Sequence, residues 1–322
     1  MDEQQRSGDQ LSFLPCNKRV RSPVEVVMPH TRHSVVLGDA RDLSWIGDAS
    51  IHLVVTSPPY GLLKAYEDAP GQLGNGENRS SVEAYEAFLD ELDRCWAECE
   101  RVLVPGGRIC CVVGDICLSR RAAGRHHVLP LAADIQVRAR GLGLDNLTPI
   151  RWLKVANIKL EASSSSWYLG KPNLPGGIVK NDVETIVMLR KPGGYRKPTS
   201  DMEAASFIDT EEYRRLFCPV WDDVKGESTR RWGHPAPYPE ELSTRLIRMF
   251  SFAGDTVLDP FAGSGTTAVS AVRTGRHSIS VEIVPSYVEA ATRRLDRLHA
   301  DLDIATAKAN ELAQAAGVAL AS

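Results

Sequence analysis

Residues 54–61 read VVTSPPYG, and this stretch indicates both the fold class and the position of a functional site. Its apolar start predicts a buried strand, which ends at a small polar pair, two prolines and an aromatic residue. Each proline fixes φ and removes a backbone N–H, so the turn offers carbonyl acceptors with few competing donors. A planar ligand could donate amino hydrogens to the Ser57 hydroxyl and the Pro58 carbonyl while its ring lies on Tyr60. The pattern favours work on the amine of a nucleobase; a plain Pro-Pro turn after a core strand is the alternative.

A second stretch, residues 256–267 (TVLDPFAGSGTT), predicts a strand, a glycine-rich turn and the start of a helix. Gly263 and Gly265 would let the backbone approach a ligand closely. The two threonines that follow are expected to cap the helix, whose first N–H groups can bind a carboxylate. No Lys follows the glycines, which excludes a Walker phosphate loop. Because Asp259 would attract an ammonium group, the stretch suits an amino acid joined to an adenosine, which describes S-adenosylmethionine.

Two further carboxylates follow predicted strands. Glu282 ends the strand at residues 276–282, about 20 positions after the glycines, which is the spacing of a carboxylate that binds ribose hydroxyls. Asp39 follows the short strand at residues 34–37 and can accept a hydrogen bond from an adenine or a ribose. A residue that only caps the following turn is an equally good interpretation of Asp39.

Together the motifs resemble those of the amino-methylating DNA methyltransferases. The TSPPY of residues 56–60 is similar to the catalytic motif of members that modify cytosine, whereas adenine-modifying relatives more often carry Asp or Asn in place of Ser57. The catalytic motif precedes the cofactor motif, which is the order of the beta group. The resemblance implies an α/β, Rossmann-like fold for an S-adenosylmethionine-dependent methyltransferase, circularly permuted, with a mixed seven-stranded sheet and a small recognition insertion.

The resemblance also implies roles for individual residues. The expected catalytic residues are Ser57, Pro58, Pro59 and Tyr60. The residues expected to bind S-adenosylmethionine are Asp39, Thr56, His234, Asp259, Pro260, Phe261, Gly263, Gly265, Thr266 and Glu282. His234 stands in a segment, residues 233–242, that resembles the lining of the family's methionine pocket; a turn that leads into a helix is the alternative. Lys64 and Arg79, in a predicted loop that closes over the substrate, are candidates for phosphate contacts, and no metal site is expected.

The function that the resemblance implies is methyl transfer to the exocyclic N4 amino group of a cytosine that is flipped out of double-stranded DNA. The nearest alternative is an adenine-N6 methyltransferase, since the same pocket logic holds for either base. A methyltransferase acting on RNA or protein, and a DNA-binding module with an inactive cofactor fold, also remain open. Double-stranded DNA is the expected partner, while a cognate restriction endonuclease and the choice between monomer and homodimer are left open.

The composition is that of a soluble globular protein. With 322 residues, 43% of them hydrophobic, the chain can bury a full core. No apolar run approaches the roughly 20 residues of a membrane span, and the polar start lacks the apolar core of a signal peptide, so a cytoplasmic location is expected. The seven cysteines show no repeated metal-ligand spacing and are expected to be reduced and mainly buried.

The charge is distributed unevenly along the chain. Residues 118–198 contain 14 Lys and Arg against 5 Asp and Glu, a net charge of +9; since the whole chain carries −3, the remainder carries −12. This asymmetry favours a region that faces a phosphate backbone, with a solvated basic face as the alternative.

The predicted organisation has five parts. These are a flexible arm (1–30), a catalytic half that includes the basic segment (31–190), a target-recognition insertion (191–233), a cofactor-binding half (234–300) and a C-terminal helix or tail (301–322). A generic Pro/Gly-rich linker is the alternative for the insertion. Within the catalytic half, the apolar spacing predicts a helix from residue 81, a strand at 108–113, a helix near 129–139 and two late strands at 149–154 and 183–189.

Overall fold

One mixed sheet organises the molecule. The structure, a computed structural model, describes residues 31–59, 73, 81–118, 120–154, 182–226 and 238–298. The strands of the sheet are β1 (His33–Leu37), β2 (Ile51–Thr56), β3 (Leu103–Val113), β6 (Asp145–Asn146), β7 (Ile150–Leu153), β8 (Val183–Arg190), β9 (Val220–Trp221), β10 (Thr256–Asp259) and β11 (His277–Glu282), while β4 (Ile116–Leu118) and β5 (His127–Leu129) form a separate hairpin.

The spatial order of the strands is β1, β11, β10, β2, β3, β8, β7, β9, and β6 also pairs with β8. The pairs from β1 to β3 are all parallel, and β8 is antiparallel to β3, β6 and β7. Among these described strands, only β6 and β9 are as short as two residues. The predicted mixed sheet of seven strands is therefore confirmed, with two short additions, and its two late strands form the predicted antiparallel side.

Helices cover both faces of this sheet. They are α1 (Val82–Val102), α2 (Arg120–Ala123), α3 (Leu131–Ala139), α4 (Ser200–Ala205), α5 (Thr210–Leu216), α6 (Glu240–Phe250), α7 (Thr266–Arg273) and α8, which is helical over residues 285–298. α1 begins where the sequence predicts, because the Ser81 hydroxyl accepts a hydrogen bond of 3.1 Å from the Ala84 N–H. The connection β2, α1, β3 is the predicted parallel unit.

Alternate residues of β3 build the two cores. Cys111 and Val113 belong to the core that α1 and α3 cover, whereas Cys110 and Val112 belong to the core beneath α6. All four are completely buried, as expected for a central strand with both faces covered. Cys110 and Cys111 therefore point to opposite faces, as predicted, and the part of the chain that the structure describes contains no group of side chains that could hold a metal ion.

The ends of the strands lie on two opposite sides of the sheet. We define the carboxyl edge as the one where β2, β10 and β11 end, and the amino edge as the opposite one. Residues 191–217 of the predicted insertion lie along the amino edge: Lys191 exchanges backbone hydrogen bonds with the start of β3, and the Ser206 hydroxyl accepts from the Ala253 N–H at 2.8 Å, just before β10. Residues 227–233 lie outside the described residues, so the target-recognition role of the insertion stays a prediction.

Several other predictions fall on residues that the structure does not describe. They concern the arm at 1–30, most of the loop at 61–80 and the tail at 301–322. Among the helices that are described, none combines the length and the apolar character that crossing a membrane requires.

Candidate active site

The first motif lies at the end of β2, a central strand of the sheet. Thr56 is the last residue of β2 and is fully buried; Ser57 is half-buried, Pro58 is buried and Pro59 is half-buried. The Ser-Pro-Pro turn therefore lies at the carboxyl edge, as predicted. Tyr60 lies outside the described residues.

The second motif lies beside the first. β10 pairs directly with β2 in parallel, with Val257 opposite Leu53 and Leu258 opposite Val54. β10 ends at Asp259, and the glycine-rich turn leads into α7. The two motifs, about 200 residues apart in sequence, therefore meet at one edge of the sheet, which is the position where open α/β sheets bind ligands.

A buried hydrogen-bond network joins the two motifs at Asp259. Its Oδ1 accepts from the Thr56 hydroxyl at 2.6 Å and from the Phe261 N–H at 3.1 Å, and its Oδ2 accepts from the Thr267 hydroxyl at 2.5 Å and from the Tyr238 hydroxyl at 3.4 Å. Burial raises the pKa of Asp259, while these donors act in the opposite direction. Both carboxylate oxygens are thus already bonded, so the geometry supports a role in holding the two turns together.

Two members of this network, Tyr238 and Thr267, are not among the cofactor-binding residues predicted from the sequence. Tyr238 donates to Asp259 and is also hydrogen-bonded to the Thr267 hydroxyl, which in turn lies 3.3 Å from the Val55 carbonyl oxygen. Burial, followed by the charge of Asp259, raises the pKa of Tyr238 well above its ordinary value. The sequence placed Tyr238 in the segment that resembles the lining of the methionine pocket, between two prolines ahead of α6, but neither signal reveals where its hydroxyl points.

Glu282 lies at the end of the next strand, β11. Its side chain is 8% exposed; Oε2 accepts from the Gly263 N–H at 2.8 Å and Oε1 from the Val284 N–H at 2.9 Å. Burial raises the pKa of Glu282, and the two backbone donors partly oppose this. The carboxylate therefore links the glycine-rich turn to the end of β11, and its contact with ribose hydroxyls stays a prediction.

Asp39 follows β1, the strand beside β11, so that both predicted carboxylates share the carboxyl edge. The Gly38 N–H donates to the Glu282 carbonyl at 3.0 Å. The Asp39 carboxylate accepts from the Arg41 N–H and Nε, each at 2.9 Å, and Arg41 also pairs with Glu91. Burial alone would raise the pKa of Asp39, but the hydrogen bonds and charge of Arg41 outweigh it and hold the pKa below its ordinary value.

The glycine-rich turn begins α7 without the predicted threonine cap. Gly265, with φ of +78°, is itself the N-cap of α7, and a Cβ there would lie 2.9 Å from the Ala291 Cβ of α8. The expected capping by the two threonines is wrong, because both stand inside the helix. Thr266 instead accepts a hydrogen bond of 3.1 Å from Arg294, and Thr267 donates to Asp259.

The remaining predicted residues divide into two groups. Pro260 is buried, and the half-buried Phe261 packs edge-on against Trp96 of α1 with ring centroids 6.1 Å apart, so both have fixed positions in the turn. Tyr60, Lys64, Arg79 and His234 lie outside the described residues, and their predicted roles stay predictions.

Comparison with known proteins gives one family over most of the chain. The family model N6_N4_Mtase, described as DNA methylase, matches residues 51–293. The Type II methyltransferase M.MjaI of Methanocaldococcus jannaschii is 37% identical over 277 residues, which cover 79% of this chain and 88% of the relative. The Type II methyltransferase M.MthZI of Methanothermobacter thermautotrophicus is 30% identical over 282 residues, covering 83% and 77%.

Solved structures agree with this result. A proposed DNA modification methylase from Thermus thermophilus, solved in complex with S-adenosyl-L-methionine, is 49% identical with a TM-score of 0.66 and coverage of 83% of this chain and 93% of that one. The PvuII DNA methyltransferase, described as cytosine-N4-specific, is 24% identical with a TM-score of 0.53 and coverage of 81% and 86%. At this identity the PvuII enzyme shows likeness in fold alone.

Proposed function

The chain belongs to the N6/N4 DNA methylase family, and from this premise we propose that it methylates the exocyclic N4 amino group of cytosine in double-stranded DNA. It is a DNA methyltransferase that uses S-adenosylmethionine. The choice of base is the new element of the proposal. The observation that carries it is Ser57, a neutral hydroxyl where adenine-modifying relatives more often have Asp or Asn.

The residues at the carboxyl edge fit S-adenosylmethionine chemically. Glu282 and Asp39 stand at the ends of adjacent strands, and carboxylates there suit ribose hydroxyls and the adenine amine. The N-terminus of α7 follows the glycine-rich turn and suits the carboxylate of the amino acid. When bound, S-adenosylmethionine supplies a methyl group that its positively charged sulfur makes labile.

The chain's own contribution to transfer is position and electrostatics. The Ser57 hydroxyl and the Pro58 carbonyl accept hydrogen bonds from the amino group of the flipped base and thereby hold its nitrogen towards the methyl group. Thr56, one residue earlier, is fixed by its hydrogen bond to Asp259. The turn proposed to hold the base is therefore anchored to the turn proposed to hold the cofactor. No protein nucleophile is needed, because the sulfonium of the cofactor already makes the methyl group labile.

The proposal is tested by identifying the modified nucleoside. Plasmid DNA is incubated with the protein and S-adenosylmethionine, digested and analysed by mass spectrometry, and Ser57→Ala serves as the matched variant. We expect N4-methylcytosine with the wild type and much less of it with the variant. Finding N6-methyladenine instead would overturn the choice of cytosine in favour of the adenine alternative.

The non-enzymatic alternative predicts a different result. A DNA-binding module with an inactive cofactor fold would bind duplex DNA but would bind no S-adenosylmethionine in calorimetry, and it would leave plasmid DNA unmodified. Target recognition by residues 191–233, a cognate restriction endonuclease and self-association belong to the same proposal as open parts. The described contacts of residues 191–217 lie on the amino edge, so within the insertion we expect recognition in the residues that follow β9.

A further inference from the structure

We propose that the β4–β5 hairpin, residues 116–129, contacts the phosphate backbone of duplex DNA beside the catalytic turn. This inference rests on the proposed function and assigns part of its DNA-binding surface. The hairpin includes the short helix α2 at its tip and is set apart from the main sheet, since β4 and β5 pair only with each other among the described strands.

The hairpin begins next to the Ser-Pro-Pro turn. β3 is the neighbour of β2, with Cys111 opposite Thr56. Only Gly114 and Asp115 separate the end of β3 from β4, so the hairpin leaves the sheet at the carboxyl edge. At about 3.3 Å per residue, the strand beyond Cys111 advances only a few residues past the catalytic turn before the hairpin starts.

The base of the hairpin is buried, whereas the described residues near its tip are exposed. Ile116 and Leu129 pair across its base, and both are buried in the core that α1 covers. Its turn contains Gly124, whose φ is +71° and whose missing Cβ would meet nothing within 4 Å. The described residues of the tip, Arg120, Gly124 and Arg125, are therefore exposed, while the base of the hairpin is buried.

The charge of the hairpin has one sign. Residues 116–129 (ICLSRRAAGRHHVL) contain three arginines and two histidines and no acidic residue. Arg120 and Arg125 are exposed, and within the described residues neither forms an ion pair. A guanidinium group binds phosphate oxygens through two parallel hydrogen bonds, so this surface suits a polyanion with evenly placed phosphates.

Most other described cations of the basic segment are engaged in ion pairs. The pairs are Arg138 with Glu86, Asp90 and Asp93, Lys154 with Glu184, Arg190 with Asp145, Lys191 with Glu100, and Arg196 with Asp255. The last three also lie at the amino edge. Among the described residues, much of the positive charge outside the hairpin is thus neutralised by ion pairs, and the exposed Arg151 of β7 is hydrogen-bonded to Thr185. The hairpin adds exposed arginines, without ion pairs in the described part of the chain, where the chain leaves β3 at the carboxyl edge.

The salt dependence of DNA binding tests the proposal directly. Each phosphate contact contributes about 0.9 to the slope of log K against log salt. Binding of the full chain to a fluorescently labelled duplex is measured by anisotropy between about 50 and 200 mM salt. For the double variant Arg120→Gln/Arg125→Gln we expect weaker binding and a slope reduced by about 1.8.

Two matched variants make the result specific. Arg140→Gln removes an exposed arginine of the same basic segment that follows α3 and lies away from the hairpin, so its slope should equal that of the wild type. Arg120→Lys/Arg125→Lys keeps both charges and should restore most of the slope. All variants change exposed side chains, so their melting temperatures should equal that of the wild type.

Three outcomes would overturn the proposal. The double Gln variant could keep the wild-type slope, or Arg140→Gln could lower the slope by the same amount. The third outcome is that the hairpin arginines bind inorganic phosphate but do not bind duplex DNA. In each case the wild type would still methylate DNA, so the proposed function would stand. Failure of the wild type to bind or methylate duplex DNA would instead contradict the proposed function itself.

Discussion

The Thr56 hydroxyl, at the end of β2, donates a hydrogen bond of 2.6 Å to Oδ1 of Asp259, at the end of β10, 203 residues later in the chain. Both residues are buried, at 0% and 1% exposure. Hydrogen bonds in such surroundings are costly to leave unmade, so a shift of one turn relative to the other is resisted. The distance between the proposed base-holding turn and the proposed cofactor-holding turn is therefore set inside the protein, before either ligand arrives.

Replacing Ser57 by Ala should slow methyl transfer by about 10- to 100-fold, because one of two acceptors for the amino group is lost. Cofactor affinity should change little, since Ser57 is proposed to contact the base and not the cofactor. Transfer of a labelled methyl group and calorimetry with S-adenosylmethionine measure the two effects, and the exposed Ser44→Ala is the control. Loss of cofactor binding in Ser57→Ala would contradict the role assigned to Ser57.

Replacing Tyr238 by Phe should lower the free energy of unfolding by about 1 kcal/mol, because one donor to the buried Asp259 and Thr267 oxygens is removed without a change in shape. Urea unfolding followed by circular dichroism measures the effect. Tyr213→Phe, at a tyrosine that is 53% exposed, should change the same quantity by less than about 0.5 kcal/mol. Equal losses in the two variants would argue against the network.

Replacing Gly265 by Ala should destabilise the fold by about 2 to 4 kcal/mol. The new residue would have to adopt a left-handed conformation, and its Cβ would lie 2.9 Å from the Ala291 Cβ. Gly143→Ala separates the two causes, because Gly143 has φ of +80° and a Cβ there would meet nothing within 4 Å. It should cost only about 1 kcal/mol. Thermal melting of both variants gives the comparison.

Cofactor binding should weaken at a higher pH than it would if Glu282 had the pKa of an ordinary glutamate. Burial raises the pKa of Glu282 above its ordinary value of 4.5, so the folded protein holds this proton more tightly than the unfolded chain does. If the ionised carboxylate accepts hydrogen bonds from ribose hydroxyls, affinity falls as the pH drops through the raised pKa. Calorimetry across this range should show the effect in the wild type, whereas Glu282→Gln should bind weakly and with little pH dependence.

Four cysteines should resist alkylation in the folded protein. Cys95, Cys99, Cys110 and Cys111 are completely buried, and burial raises the pKa of each thiol, that of Cys110 to about 12. Iodoacetamide should therefore label them only after denaturation, because the thiolate is the reactive form. Mass spectrometry of peptides from native and unfolded samples measures this. Native labelling of Cys110 at the rate of the partly exposed Cys218 would contradict the buried assignment.

Local patterns predicted the sheet and the meeting of the two motifs. A polar group at the end of each buried strand must lie at the carboxyl edge when the strands are parallel, and this reasoning places Ser57, Asp259 and Glu282 together from sequence alone. The start of α1 could also be predicted locally, because the helical spacing of its apolar residues lies within one stretch of sequence.

Contacts between distant segments could not be predicted in this way. The sequence explained Gly265 by a ligand contact, which stays a prediction, and it did not reveal that a side chain there would also meet the Ala291 Cβ of α8. The basic character of residues 118–198 indicated a region that faces a phosphate backbone. Five of its described cations instead form ion pairs with acidic residues, which a count along the sequence treats as independent charges. Charge totals along a sequence carry no information on pairing, which depends on tertiary structure.

The strand order also determines when the candidate active site can form during translation. β11 and β10 lie between β1 and β2, although the chain makes them more than 200 residues later. At roughly 5 to 20 residues per second, a ribosome needs on the order of 10 to 40 seconds to cover that distance. Throughout that interval β1 and β2 lack the two strands that separate them in the sheet, so the cofactor side of the site cannot form until residue 282 has emerged from the ribosome.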